Sequence, residues 1–233
     1  MPTSSFPFRV VDLTQPLGPD TIMWPGASAP AVDVLASYSD GYYARMTHIF
    51  EHSGTHFDPP AHFHEGTPTT DLIPAEELVR PLAVIDIRDK VGDDPSRSLT
   101  VADLDEAIAK DGPIDPGSCV VLNTGWARFE REPKWVADAD GNTCFPSFGA
   151  EAAQKLVDLG VAGLGADVAG IDSGDATTFP IHSGITLPNG VWHLEGLTNL
   201  NGLPARGGTI VAAVTKLVGG SGFPCRVLAL LPE

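Results

Sequence analysis

The chain has 233 residues, enough for one sizeable domain. Its 42% hydrophobic content can supply a core, while Gly 25 and Pro 21 imply many turns without low complexity. A formal charge of -16 at pH 7 opposes a nucleic-acid partner or an anionic membrane surface, because both would repel the summed field. No segment approaches the roughly 18 apolar residues of a membrane span, and the opening MPTSSFPFRVVDLTQPL lacks a basic start followed by a long apolar run. The expectation is a cytoplasmic protein of one domain over residues 1–233.

In chain order, strand-like runs bounded by Gly or Pro fall at residues 8–13, 44–50 and 82–87. A helix should begin at Thr100, where Asp103 completes a capping pattern and Leu104 and Ile108 share one face. A strand follows at 119–123, then a helix from about 149 to 159 that Gly160 ends, then strands at 161–164, 209–215 and 226–231. Strands outnumber helices, which points to an α/β or α+β domain with a mixed sheet. Cys119, Cys144 and Cys225 are odd in number, widely spaced and without a C-x-x-C pair, so they are expected as buried thiols rather than a disulfide framework or a cysteine zinc site.

The seven histidines are His48, His52, His56, His62, His64, His182 and His193, and five of them crowd between positions 48 and 64. The segment H52-S-G-T-H56-F-D58-P-P-A-H62-F-H64 mixes imidazole and carboxylate, ligands suited to zinc, manganese or iron rather than to a thiolate-selected metal. A straight strand would hold His52 and His56 about 13 Å apart, too far for one ion. A helix is poor here because of Gly54, Thr55 and the Pro59-Pro60 pair. A bend at Gly54 is the remaining way to bring His56 back toward His52, and Asp58, preceding a proline, is biased to an extended backbone that can aim its carboxylate at the same ion. His48, inside the approaching strand, and His64, beyond the last turn, are given no role.

The pattern H-x-G-T-H-x-D-x-P-x-H, carried by His52, Gly54, Thr55, His56, Asp58, Pro60 and His62, resembles the signature of the cyclase family of metal hydrolases, which includes bacterial kynurenine formamidases and isatin hydrolases. V11-D12-L13-T14, W24-P25-G26, N123-T124-G125-W126, G165-A166-D167-V168-A169-G170-I171-D172 and E195-G196-L197-T198-N199-L200 look like further segments of that family, so the resemblance covers nearly the whole chain. It implies a swivelling β/β/α fold of the α/β class, a first ion on His52, His56 and Asp58, and His62 as acid/base. In two-metal members Asp58 would bridge to a second ion held also by His182 and Glu195. The stretch from His182 to Glu195 is about one residue longer than the formamidase pattern, with Ser183-Gly184 in place of a basic and bulky pair. The resemblance also implies zinc or manganese as cofactor, a homodimer or higher homo-oligomer, and Trp24 as a substrate contact.

Amide hydrolysis needs a nucleophile stronger than neutral water, a polarised carbonyl and a proton for the leaving nitrogen. A divalent ion with one acid/base supplies all three, and no G-x-S-x-G elbow or phosphate-binding glycine loop offers an alternative activator. Trp24, Phe57, Phe63, Phe179 and Trp192 lie in the candidate site segments and offer an apolar wall for an aryl substrate. Three functions fit: hydrolysis of an acyclic aryl amide such as N-formylkynurenine, ring opening of a cyclic amide such as isatin, or a non-catalytic metal-binding protein that keeps the fold. His62 beside a full ligand set argues against the last, since storing an ion needs no acid/base.

Overall fold

The computed structural model describes residues 7–232. Its strands are β1 (Phe8–Asp12), β2 (Ala31–Ala36), β3 (Ala44–His48), β4 (His56–Asp58), β5 (Val79–Asp86), β6 (Ser98–Leu99), β7 (Cys119–Asn123), β8 (Ser147–Phe148), β9 (Gly163–Ala166), β10 (Trp192–Glu195), β11 (Gly208–Val214) and β12 (Phe223–Pro232). The α-helices are α1 (Arg88–Val91), α2 (Val101–Asp111) and α3 (Ala150–Asp158).

Eight strands form one mixed sheet in the order β1-β12-β11-β5-β7-β9-β10-β4. The N-terminal end of β12 also pairs with β4, at Phe223↔Phe57 and Pro224↔His56, so the sheet closes on itself. Strands β5, β7, β9 and β10 run parallel to one another, and the other pairings of this sheet are antiparallel. Phe57, Val84, Val121, Trp192, Leu194, Ile210 and Val227 fill the interior of this closed sheet. The opposite face of β5, β7 and β9 packs Ile85, Leu122 and Ala166 against Leu104 of α2 and Leu156 of α3. This is the mixed α/β architecture the sequence implies.

Helix α2 starts where its chemistry dictates. Thr100 Oγ1 accepts from the Asp103 N–H at 3.2 Å while the Asp103 carboxylate accepts from the Thr100 N–H at 3.0 Å, a reciprocal capping box. Leu104 is fully buried, which stabilises the fold by about 2 kcal/mol. The strand expected at 161–164 lies two residues later, over Gly163–Ala166. Its glycines are poor strand formers, yet Gly163 is required: a Cβ there would stand 2.4 Å from the Trp192 ring. Cys119 and Cys225 are buried as expected, and burial pushes both thiols up; Cys144 is instead half-buried.

The hairpin β2–β3 stands apart as a two-stranded ribbon. Val34 and Leu35 on it are each 62% exposed. No described helix is long and apolar enough to cross a membrane.

Candidate metal centre

The site grows from the antiparallel pair β4–β10, where His193 faces Asp58 and Glu195 faces His56 across the ladder. Alternation puts His56, Asp58, His193 and Glu195 on one face, while Phe57, Trp192 and Leu194 point into the closed sheet. Phe57 and Trp192 are therefore core, not an apolar wall for a ligand. Strand β4 follows a bend at Gly54, whose φ of 58° is a left-handed value that favours glycine. The bend brings the rings of His52 and His56 to 5.3 Å between centroids. Behind His52 the chain passes so close at Gly222 that a Cβ would lie 2.5 Å from the ring.

His182 arrives from above, on a π-helical turn over Ile181–Thr186. This turn directs His182 at Glu195, with Nε2 3.1 Å from its carboxylate. The Asp172 carboxylate accepts from the Ile181 N–H at 2.8 Å and the His182 N–H at 3.0 Å, fixing the start of the turn.

Each imidazole has one ring nitrogen committed to an acceptor and the other aimed into the cluster. His182 Nδ1 contacts Asp172 at 2.6 Å, leaving Nε2 at 3.1 Å from Glu195 and 4.0 Å from Asp58. His56 donates from Nδ1 to the Gly54 carbonyl at 3.0 Å, leaving Nε2 between Asp58 at 3.5 Å and Glu195 at 3.4 Å. Ser221 Oγ donates to Glu51 at 2.6 Å, so it accepts from His52 Nε2 at 3.2 Å, and His52 Nδ1 lies 2.7 Å from Asp58 Oδ1. Such outer partners set tautomers and aim ring lone pairs in metal sites.

The donor set fits a divalent ion. Two ligand atoms about 2.1 Å from one tetrahedral ion lie about 3.4 Å apart, close to the His56 separations from both carboxylates. His56 Nε2, Asp58 Oδ2 and His193 Nδ1 are buried with no hydrogen-bond partner, a costly condition unless something else satisfies them. Two overlapping groups bring ligand atoms within 4.8 Å of one another: His52, His56 and Asp58, and Asp58, His182, His193 and Glu195.

Electrostatics agree. Burial disfavours an imidazolium at His56, but the Asp58 and Glu195 carboxylates outweigh it and push His56 up to about 9. Burial is likewise overcome at His182 by Asp172 and Glu195, which push it up to about 10. Protons on these rings neutralise the buried carboxylates where a cation would do the same.

His62 belongs to neither ligand group. It ends the short turn Pro60–His62, and its ring stacks on His52 at 3.9 Å. Burial, with His52 and His182 nearby, lowers it to about 4 despite Asp58, so it is neutral at pH 7. A cavity of about 450 Å³ opens over the cluster, its walls carrying Trp24, Phe50, Phe63 and Phe179 beside His52, His56, His62, His182 and Glu195. Trp24 meets Phe179 at 6.1 Å between centroids.

The structure thus brings Trp24, His52, His56, Asp58, His62, His182 and Glu195 to one place. Glu195 is 6% exposed. His48 stands apart, paired with Asp33 at the surface, and His64 lies outside the ligand groups. Sequence reasoning did not single out His193, Asp172, Ser221 or Phe50. For His193 a signal existed: it sits two residues before Glu195, the spacing that places both on one strand face.

Residues 11–173 match the family described as Putative cyclase. The chain is 34% identical to the isatin hydrolase of Roseibium aggregatum, over 97% of this chain and 92% of that protein. It is 27% identical to the kynurenine formamidase of Salinibacter ruber, over 94% of this chain and 96% of that protein. A solved isatin hydrolase bound to the product analogue thioisatinate matches with a TM-score of 0.91 at 29% identity, covering 98% of this chain and 94% of its own.

Proposed function

This chain belongs to the cyclase family and is a hydrolase; from that premise we propose that it opens a small cyclic aryl amide of the isatin type. The first ion site is His52, His56 and Asp58, the second Asp58, His182 and Glu195, with His62 as acid/base and one domain over residues 1–233. A nitrogen and oxygen ligand set without thiolate suits zinc or manganese.

A divalent ion held there lowers the pKa of a bound water toward about 7 and polarises the substrate carbonyl. His62, neutral at pH 7, accepts the proton of the attacking water as its oxygen joins the carbonyl carbon, then returns it to the nitrogen as the C–N bond breaks. Stacked on His52 yet outside the ligand set, it is close to the reacting atoms without holding the ion. Trp24, Phe50, Phe63 and Phe179 enclose the aryl ring and limit water.

One observation carries the choice of a cyclic amide over N-formylkynurenine. Among the described residues lining the cavity there is no Lys or Arg, and its carboxylates, Asp172 and Glu195, are engaged within the cluster. The amino-acid headgroup of formylkynurenine would be buried there without charged partners, whereas an uncharged bicyclic amide asks for none. Leaving such charges poorly paired costs about 1 to 3 kcal/mol, roughly a 5- to 150-fold preference.

The test is turnover by chelator-stripped protein reloaded with Mn²⁺ or Zn²⁺, comparing isatin with N-formylkynurenine. Metal-dependent ring opening of isatin, at least about fivefold favoured in kcat/KM, is expected. Preference for formylkynurenine would move the assignment to linear formamides, and turnover indifferent to chelation would end the metal mechanism. The reading includes a homo-oligomer, supported by the apolar side chains that the β2–β3 ribbon exposes at Val34, Leu35 and Met46; light scattering at micromolar concentration should give a mass of at least two chains.

A further inference from the structure

His193 is fully buried on β10, directly opposite Asp58 in the ladder, so the two side chains leave the same face. Thr186 Oγ1 has a single proton, and it goes to the Ile181 carbonyl at 2.7 Å. The 2.7 Å contact between Thr186 Oγ1 and His193 Nε2 is therefore one in which the imidazole donates. That assigns the ring proton to Nε2 and leaves a bare lone pair on Nδ1, an atom that is buried and has no hydrogen-bond partner. Ligand atoms from Asp58, His182, His193 and Glu195 lie within 4.8 Å of one another. Asp58 Oδ2, in the same group, is also buried and unpartnered.

We propose that His193, through Nδ1, is a further protein ligand of the second divalent ion, completing a closed set of two nitrogens and two oxygens with Asp58, His182 and Glu195. This rests on reading the cluster as a metal centre. His182 is oriented by Asp172 and His193 by Thr186, and both anchors belong to the π-helical segment or the loop before it. The segment that carries one ligand therefore also aims another.

The closed set divides the labour of the two sites. Catalytic zinc sites keep one position free of protein, whereas structural ones are filled by four protein ligands. His52 and His56 of the first site line the cavity, as do His182 and Glu195 of the second, while His193 closes the second site on the side away from the cavity. Asp58 and Glu195 would then be held in place with their charge offset by a second ion, and the activation of water would fall to the site of His52, His56 and Asp58.

Co²⁺ titration of chelator-stripped protein, followed by calorimetry and visible absorption, tests this without an activity assay. Wild type should take two ions per chain, the second giving the intense visible bands of four-coordinate Co²⁺. His193→Gln keeps an amide that can reach Thr186 but has nothing at the Nδ1 position. It should bind the first ion as wild type does and the second more than about 100-fold more weakly, beyond the 10- to 100-fold effect typical of outer-sphere loss. His193→Asn, whose Oδ1 occupies the place of Nδ1, should recover part of that affinity. Two ions bound by His193→Gln as in wild type would overturn the proposal, as would wild type taking only one. Wild type taking none would overturn the metal-centre reading itself. Should the His193 variants fail to melt cooperatively, Thr186→Val leaves the ligand in place and removes its anchor; about tenfold weaker binding of the second ion alone is then expected, and unchanged binding would refute the proposal.

Discussion

Asp103 and Asp58 are both buried carboxylates, 7% and 1% exposed, and their surroundings differ in one respect. Asp103, near the start of α2, accepts from Lys90 at 2.8 Å, Arg97 at 2.6 Å and both the N–H and hydroxyl of Thr100 at 3.0 and 2.6 Å. Every lone pair it needs to satisfy is met by the chain, and its cations are permanent. Among the described residues no Lys or Arg pairs with Asp58; its charge faces His52, His56 and His182, and its Oδ2 has no hydrogen-bond partner. The first arrangement is complete as folded and stabilises a helix start. The second leaves buried atoms without a partner, which is where the proposed cation would sit.

The sharpest way to break this contrast is to remove Asp58. Asp58→Ala, or His52→Ala, should abolish metal occupancy and turnover together, with partial rescue by excess metal; elemental analysis beside the isatin assay checks both. His62→Ala should lose about 10² to 10⁴ in kcat while keeping near-normal metal content and showing no rescue by added metal. A variant that turned over at the parental rate would remove His62 from the mechanism, and one that lost the ion would make it a ligand or its support. Trp24→Ala should raise KM roughly 5- to 30-fold, the equivalent of about 1 to 2 kcal/mol of apolar contact, with a smaller change in kcat.

The smallest expected effect is on the other side of the comparison. Burial opposes the charge on Asp103, but its bonds from Lys90, Thr100 and Arg97 prevail and hold its carboxyl well below the usual range. A depressed folded-state value means stability that is full above the unfolded value of about 3.9 and is lost as pH falls below it. Asp103→Asn should therefore destabilise by about 1 to 3 kcal/mol at pH 7, and its loss of urea resistance between pH 7 and pH 3 should be smaller than wild type's. Metal occupancy of this variant should be unchanged, since its network touches no residue of the site.

How much of this was legible beforehand follows the same physical divide. The capped start of α2 and the long apolar strands β7, β11 and β12 are local features, written in adjacent residues. The bend at Gly54 was inferable because spacing alone forbade the alternatives. Strands β4 and β10 were not: each is three or four residues long, and its polar alternate positions are buried in the His/Asp/Glu cluster rather than facing solvent, so the pattern of a strand is masked. His193 was passed over for that reason. Asp172 and Ser221 act only through the tautomers of His182 and His52, over separations of 10 and 169 residues, and no local pattern announces such a partner. Phe57 and Trp192 flank the candidate site residues in sequence and so are compatible with a pocket wall, yet alternation turns them inward.

The most direct test of the central claim is anomalous diffraction from crystals loaded with Mn²⁺ or Zn²⁺. A peak is expected with His52 Nδ1, His56 Nε2 and an Asp58 oxygen within about 2.0 to 2.3 Å, and His62 beyond coordinating distance. A metal-loaded crystal in which those three side chains point apart, or in which the peak lies elsewhere, would contradict it.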